Sequence, residues 1–152
     1  MQTDHSSVFT SVGKTIGTDR VTIAGDSTQT EHDYDPIIKG EKLAPFNPTH
    51  LDACDIAIGM LNISSEDVVY DLGCGDGRFL LRSLERARIC KGVGVEYDST
   101  LVSRAMSCCS CAPNQVNSGR ISIVHENVLD VDFSEATALF IYLVPAGIRA
   151  IR

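Results

Sequence analysis

Val68-Val69-Tyr70-Asp71-Leu72-Gly73-Cys74-Gly75-Asp76-Gly77-Arg78 runs from an apolar stretch into a carboxylate, then sets glycines at alternate positions ahead of a helix-compatible segment. This is the pattern of a strand entering a ligand-cradling turn. Glycine lacks Cβ, takes φ > 0 readily and lets backbone amides come close to a bound molecule. Three glycines in five residues cost conformational entropy, which a turn built to hold a ligand justifies.

Beyond the turn, Phe79, Leu80, Leu84 and Ala87 form a helical stripe from about Arg78 to Arg88, with Arg82, Arg86 and Arg88 on the solvent side. Gly92-Val93-Gly94-Val95-Glu96 is a second short strand ending in an acid. Asp98 or Ser99 can cap the next helix, which carries Leu101, Val102, Ala105 and Met106. Ile121 to Val124 is a third strand and Ala138 to Val144 a fourth. Short strands alternating with helices of about ten residues predict βαβ units: a parallel sheet with helices on both faces. Ligands of such sheets bind at the carboxyl ends of the strands, where Asp71, Glu96, Asn127 and Pro145 fall.

Upstream, residues 1–35 are rich in Ser, Thr, Asp and Gly and read as a disordered or loosely attached tail, with a lid or partner-binding arm as the alternative. Residues 36–152 are then one domain. Pro45 and Pro48 hold the chain before them extended, and Thr49 is placed to cap a helix bearing Leu51, Cys54, Ile58 and Leu61.

Several function classes are disfavoured by bulk properties. With 13 basic against 20 acidic side chains, the formal charge of -7 opposes general binding to a nucleic-acid backbone. The longest apolar stretch, Ala136 to Ile148, is interrupted by Pro145 and falls short of the roughly 20 residues of a membrane span. The first residues lack the basic and apolar regions of a secretory signal, so the expected location is cytoplasmic, with the nucleus as the alternative. The six cysteines read as reduced thiols, and Cys108-Cys109-x-Cys111 lacks the paired C-x-x-C spacing of structural zinc, so no metal is expected.

A dinucleotide-binding G-x-G-x-x-G would require glycine at position 78, which is Arg78, and Asp71 would repel a phosphate. A carboxylate there suits an ammonium or a sulfonium group. Glu96 can accept hydrogen bonds from both hydroxyls of a ribose. Each residue also has a plainer reading: Asp71 as a helix cap, Glu96 as a solvated acid, Phe46, Tyr97 and Tyr142 as packing aromatics, His125 as a structural histidine.

Taken in order, Pro45-Phe46-x-Pro48-Thr49, Asp71-x-Gly73-x-Gly75-x-Gly77-Arg78, Gly92 to Asp98, Glu126-Asn127 through Phe133, and Phe140 to Pro145 resemble the successive motifs of class I S-adenosylmethionine-dependent methyltransferases. The nearest flavour is that of small protein-lysine methyltransferases, and the resemblance spans about residues 43 to 148. It implies a Rossmann-like parallel sheet, here with about four of the family's seven strands, and S-adenosylmethionine as cofactor. It also implies that Asp71, Gly73, Gly75, Glu96, Tyr97 and Asn127 hold that cofactor, with Asn127 standing where the family usually has Asp. Tyr142 would orient the methyl acceptor, Pro145 would line the transfer site, and Phe46, Asn47 and Thr49 would fold over the cofactor. The implied partner is a protein lysine. With the chain ending soon after its fourth strand, that strand is expected to be an exposed edge open to self-association. Two alternatives of different class remain: a truncated, non-catalytic cofactor-binding or interaction module, and a dinucleotide-binding domain.

Overall fold

A computed structural model describes residues 9–14 and 143 as backbone, and residues 46, 48–110 and 119–142 with their side chains. The elements are β1 (Phe9–Lys14), α1 (Leu51–Met60), β2 (Val68–Leu72), α2 (Arg78–Ala87), β3 (Lys91–Glu96), α3 (Ser99–Ser110), β4 (Ile121–His125) and β5 (Ala138–Leu143). They form one sheet in the order β1-β5-β2-β3-β4. β2 runs parallel to both β3 and β5, and β3 parallel to β4, as the alternation of short strands and helices predicts.

The central strands are apolar on both faces because both faces are covered. On one, Val69 and Phe140 meet Phe79 and Leu80 of α2 and Ile58 of α1, with the Phe79 and Phe140 rings stacked at 3.7 Å. The consecutive crossovers β2-α2-β3 and β3-α3-β4 step in the same direction, so a common right hand puts α3 on that same face. On the other face, Tyr70, Leu72, Val93 and Val95 pack against Val128, Val131 and Phe133. Helices were expected on both faces; the described helices line one, and the second is packed by the connection that leads into β5.

The glycines of β3 admit this packing. A Cβ at Gly94 would lie 2.7 Å from Cys74 Sγ and 2.9 Å from Ile123 Cδ1, so only glycine lets the turn after β2 press onto β3. Asp67, buried at the other end of the sheet, accepts from Ser64 N at 2.7 Å and from Thr137 Oγ1 at 2.8 Å, tying the starts of β2 and β5 together.

Several expectations are corrected. Phe9–Lys14, assigned from sequence to the tail, is a strand paired antiparallel with β5, with Thr10 opposite Tyr142. β5 is therefore interior, with β1 on one side and β2 on the other, and offers no open edge for self-association. The segment Phe-Thr-Ser-Val-Gly-Lys lacks clear alternation, and its strand identity comes from the neighbour it pairs with rather than from propensity. The cap of α1 is His50, whose Nδ1 accepts from Asp52 N, while Thr49 is buried just before it. Leu51 is 48% exposed rather than part of the core stripe. Arg82 is not simply solvated: its guanidinium forks onto Asp55 of α1 with both contacts at 2.7 Å, and Arg86 joins at 3.0 Å. Hydrogen bonding to Arg82, then to Arg86, holds the Asp55 carboxyl down to about 2. Among the described residues no helix is long and apolar enough to cross a membrane.

Two glycine substitutions should act with opposite signs. Gly94→Ala should lower unfolding stability by about 1–3 kcal/mol through overpacking against Cys74 and Ile123. Gly59→Ala, in α1 with no neighbour within 4 Å of the added methyl, should raise it by about 0.5–1 kcal/mol. Urea denaturation of both variants measures the contrast.

Candidate functional site

The turn after β2 uses its glycines as the sequence suggests: Gly73, Gly75 and Gly77 have φ of 86°, 57° and 77°. Its amides turn toward β3. Gly73 N and Cys74 N donate to Val95 O at 2.9 and 3.0 Å, and Gly75 N donates to Glu96 Oε2 at 2.9 Å. Glu96 Oε1 accepts from Tyr97 N and Asp98 N, each at 2.9 Å. One buried carboxylate thus joins the glycine turn to the turn that starts α3, where Asp98 Oδ1 caps Thr100 N at 2.9 Å. A carboxylate has about four acceptor positions, so among the described residues Oε2 keeps one for a ligand.

Register places the other groups. Asp71 lies opposite Gly94 on one side and Phe140 on the other; Glu96 and Tyr142 each follow two residues later on their own strands. Period-two alternation therefore aims Asp71, Glu96 and Tyr142 to the helix-covered face, with Glu96 and Tyr142 flanking the turn. Asp71 does not cap α2, whose cap is Gly77. It is buried, at 3% exposure, and among the described residues neither it nor Glu96 forms an ion pair. Burial, and then the negative charges of Glu96 and Asp76, raise the Asp71 pKa well above the ordinary carboxylate range.

Tyr142 is half-buried and its ring lies parallel to Phe140 at 6.4 Å, so it packs as well as borders the site. Tyr97 is 41% exposed. His125 Nε2 hydrogen-bonds the Tyr97 carbonyl at 3.0 Å and is engaged with the backbone at the strand ends. Asn127 is buried; its Oδ1 accepts from Leu129 N at 3.0 Å, which leaves that oxygen one further acceptor position.

Phe46 rests on the turn: its Cε2 would be 2.6 Å from a Cβ at Gly75, so Gly75 is glycine partly to seat this ring. Thr49 is held by its carbonyl, which accepts from Arg78 Nη1 at 3.2 Å. Arg78 also forks onto Asp76 with contacts of 2.9 and 2.6 Å, holding that carboxyl below its ordinary value. Arg104 Nη2 lies 3.6 Å from the same carboxylate, and its guanidinium stands 5.8 Å over the Phe46 ring. Of the residues singled out from sequence, Asn47 and Pro145 lie outside the described residues. Asp76, Arg78 and Arg104 were not singled out; the signal for the first two was a carboxylate two residues before an arginine where the turn becomes α2.

Two buried acids with no ion pair among the described residues, beside a turn of positive-φ glycines and a ring laid across it, make an acidic cradle. Cys74 in the turn is no nucleophile there, since burial pushes its thiol pKa far up. Cys54, Cys74, Cys90, Cys108 and Cys109 are free, and among the described residues no group of three metal-binding side chains is assembled; Cys111 lies outside them.

Residues 71–152 match the ANTKMT methyltransferase domain model. A protein-lysine N-methyltransferase of Saccharolobus islandicus (strain REY15A) is 36% identical over 100 residues, covering 66% of this chain and 60% of the relative. The crystal structure of an RNA methyltransferase from Salinibacter ruber in complex with S-adenosyl-L-homocysteine superposes with a TM-score of 0.60 at 30% identity, covering 66% of this chain and 63% of that one. The chain therefore spans less than two thirds of either relative's length.

The Asp71 environment has a measurable cost. A carboxyl whose folded pKa is raised binds its proton more tightly folded than unfolded, so stability falls as pH rises from the unfolded value through the folded one. Asp71→Asn should therefore raise the thermal midpoint at pH 8, and the gain should shrink as pH is lowered toward 4. Thermal melts of both proteins across that range test the sign; a gain that grows in acid would overturn it.

Proposed function

The chain belongs to the family of the ANTKMT methyltransferase domain, and from that premise we propose that it binds S-adenosylmethionine at the glycine turn and transfers the methyl group to the side-chain amine of a protein lysine. The observation that carries this reading is the buried pair Asp71 and Glu96 beside the turn, which forms no ion pair among the described residues. Such a pair is unfavourable alone and is relieved by a ligand that is itself cationic. The cofactor brings an ammonium, a sulfonium and two ribose hydroxyls, which match these acceptors in charge and in hydrogen-bonding character.

In this reading Asp71 attracts the ammonium group, and Gly73 and Gly75 let the backbone come close. The remaining acceptor position on Glu96 Oε2 takes a ribose hydroxyl, and a second bond would require one of the amides on Oε1 to yield. Tyr97 offers its ring, and Asn127 its second lone pair, to the adenine. An amide oxygen accepts without a full charge, so this contact is weaker than the family's aspartate would make. Phe46 and Thr49 close the same side.

When bound, the cofactor supplies a methyl carbon made electrophilic by the sulfonium. The chain's own contribution is alignment and exclusion of water. Tyr142, flanking the turn opposite Glu96, is placed to orient the acceptor nitrogen. That amine has to arrive neutral, and His125, held against the Tyr97 carbonyl, is not presented as a base. Lysine is favoured over RNA as acceptor because the chain's charge of -7 repels a polyanion. The alternative is a module of the same fold that binds the cofactor without turnover.

Titration calorimetry with S-adenosylhomocysteine should show saturable binding that Glu96→Ala weakens about a hundredfold or more, since it removes charge-assisted acceptors. Equal binding by the variant would sink the site assignment. Transfer of labelled methyl from the cofactor to lysine peptides separates the enzyme from the binding module: label on lysine supports the first, binding without label the second.

A further inference from the structure

We propose that Asp76 is a positioning residue: through Arg78 and Arg104 it fastens Phe46 and Thr49 onto the glycine turn and so sets how long a ligand stays there. The inference rests on the ligand site of the proposed function and adds the group that governs residence at it.

The side chain of Asp76 is 7% exposed and serves two guanidinium groups from different helices. Arg78, opening α2, makes the bidentate contact; its third nitrogen, Nη1, reaches back to Thr49 O. Arg104, on α3, spans from Asp76 Oδ2 to the face of Phe46. The carbonyl of the 46–49 segment is thus held by one arginine and its aromatic ring by the other, and a single carboxylate orients both. Arginine suits each task, because a planar fork stays aligned when one edge is paired and another donates or stacks. Phe46 in turn lies on Gly75, the residue whose amide is bound to Glu96. A change at Asp76 therefore reaches the ligand side of the turn without Asp76 touching ligand.

Asp76 also differs from its neighbours in charge balance. Asp71 and Glu96 form no ion pair among the described residues and suit a cationic ligand, whereas Asp76 is neutralised by Arg78 with Arg104 nearby. Its use is mechanical rather than ligand-binding.

Asp76→Asn in the full chain keeps the shape and removes the charge. The expected result is S-adenosylhomocysteine dissociation faster by about ten- to a hundredfold in stopped flow, the loss anticipated for charge-assisted bonds. The KM for S-adenosylmethionine should rise with kcat retained. Combining Asp76→Asn with Phe46→Ala should be no worse than the more severe single change, because both break one unit. In the ligand-free protein, amide exchange at Cys54, whose N–H donates to His50 O next to Thr49, should accelerate in Asp76→Asn while β2 and β3 stay protected. Arg104→Gln, at the arm that is 57% exposed, should act in the same direction on a sound fold, and Arg104→Lys should restore part of the loss. Unchanged dissociation, additive effects with Phe46→Ala, or unchanged exchange at Cys54 would each overturn the proposal. Failure of the unmodified chain to bind S-adenosylhomocysteine would instead strike the proposed function and, with it, the residence claim, while the exchange readout would still decide whether Asp76 positions the segment.

Discussion

The carboxylate of Glu96 takes amides from two different turns: Gly75 N from the β2-to-α2 turn on one oxygen, Tyr97 N and Asp98 N from the β3-to-α3 turn on the other. Bonds to an ionised acceptor contribute about 1.5–3 kcal/mol each, roughly twice a neutral pair. They cannot simply be added, since one group makes all of them. Their structural effect is to hold together two loops that belong to consecutive βαβ units, a junction that Arg104 of α3 reinforces from Asp76. The left-handed glycines allow the turn to reach Glu96, Gly94 gives Cys74 room to follow it, and Phe46 then finds a flat surface on Gly75.

Around that clamp the acids divide into two kinds. Asp76 is compensated by Arg78 and Arg104, and its carboxyl titrates low. Asp71 is buried beside the negative charges of Glu96 and Asp76, and its carboxyl titrates high. The contrast arises within six residues of chain, and it follows from direction: Asp71 is on the strand and aims into the layer between sheet and helices, whereas Asp76 is on the turn where two helices begin or pass. A fold that keeps an uncompensated buried acid gives up stability in the empty state, and a cationic ligand restores it.

The sheet was legible because short apolar runs ending in acids or turn residues are local signals. The glycine spacing, Asp71 and Glu96 were legible for the same reason. What the sequence concealed depends on partners far along the chain. Arg82 looks like a surface residue of α2 until Asp55 of α1 is brought against it, 27 residues away. Arg104 looks like a solvated helix position until Phe46 lies beneath it. Phe9–Lys14 has no strand pattern of its own and becomes one beside β5. Thr49 has better capping chemistry than His50, yet His50 takes the cap because its carbonyl starts the helix by accepting Cys54 N, while Thr49 is turned inward under Arg78. Tertiary context overrode local preference in each case.

Residues 71–152, the stretch the family model matches, contain Asp71, the glycine turn, Glu96, Asn127 and β5. The strand that lies against β5 beyond Tyr142 does not come from that stretch: Phe9 pairs with Leu143 and Thr10 with Tyr142. Asp71, the glycine turn and Glu96 thus lie inside the matched region, whereas Phe46, laid on that turn, Thr49, held by Arg78, and the strand beside Tyr142 are supplied by chain that precedes it.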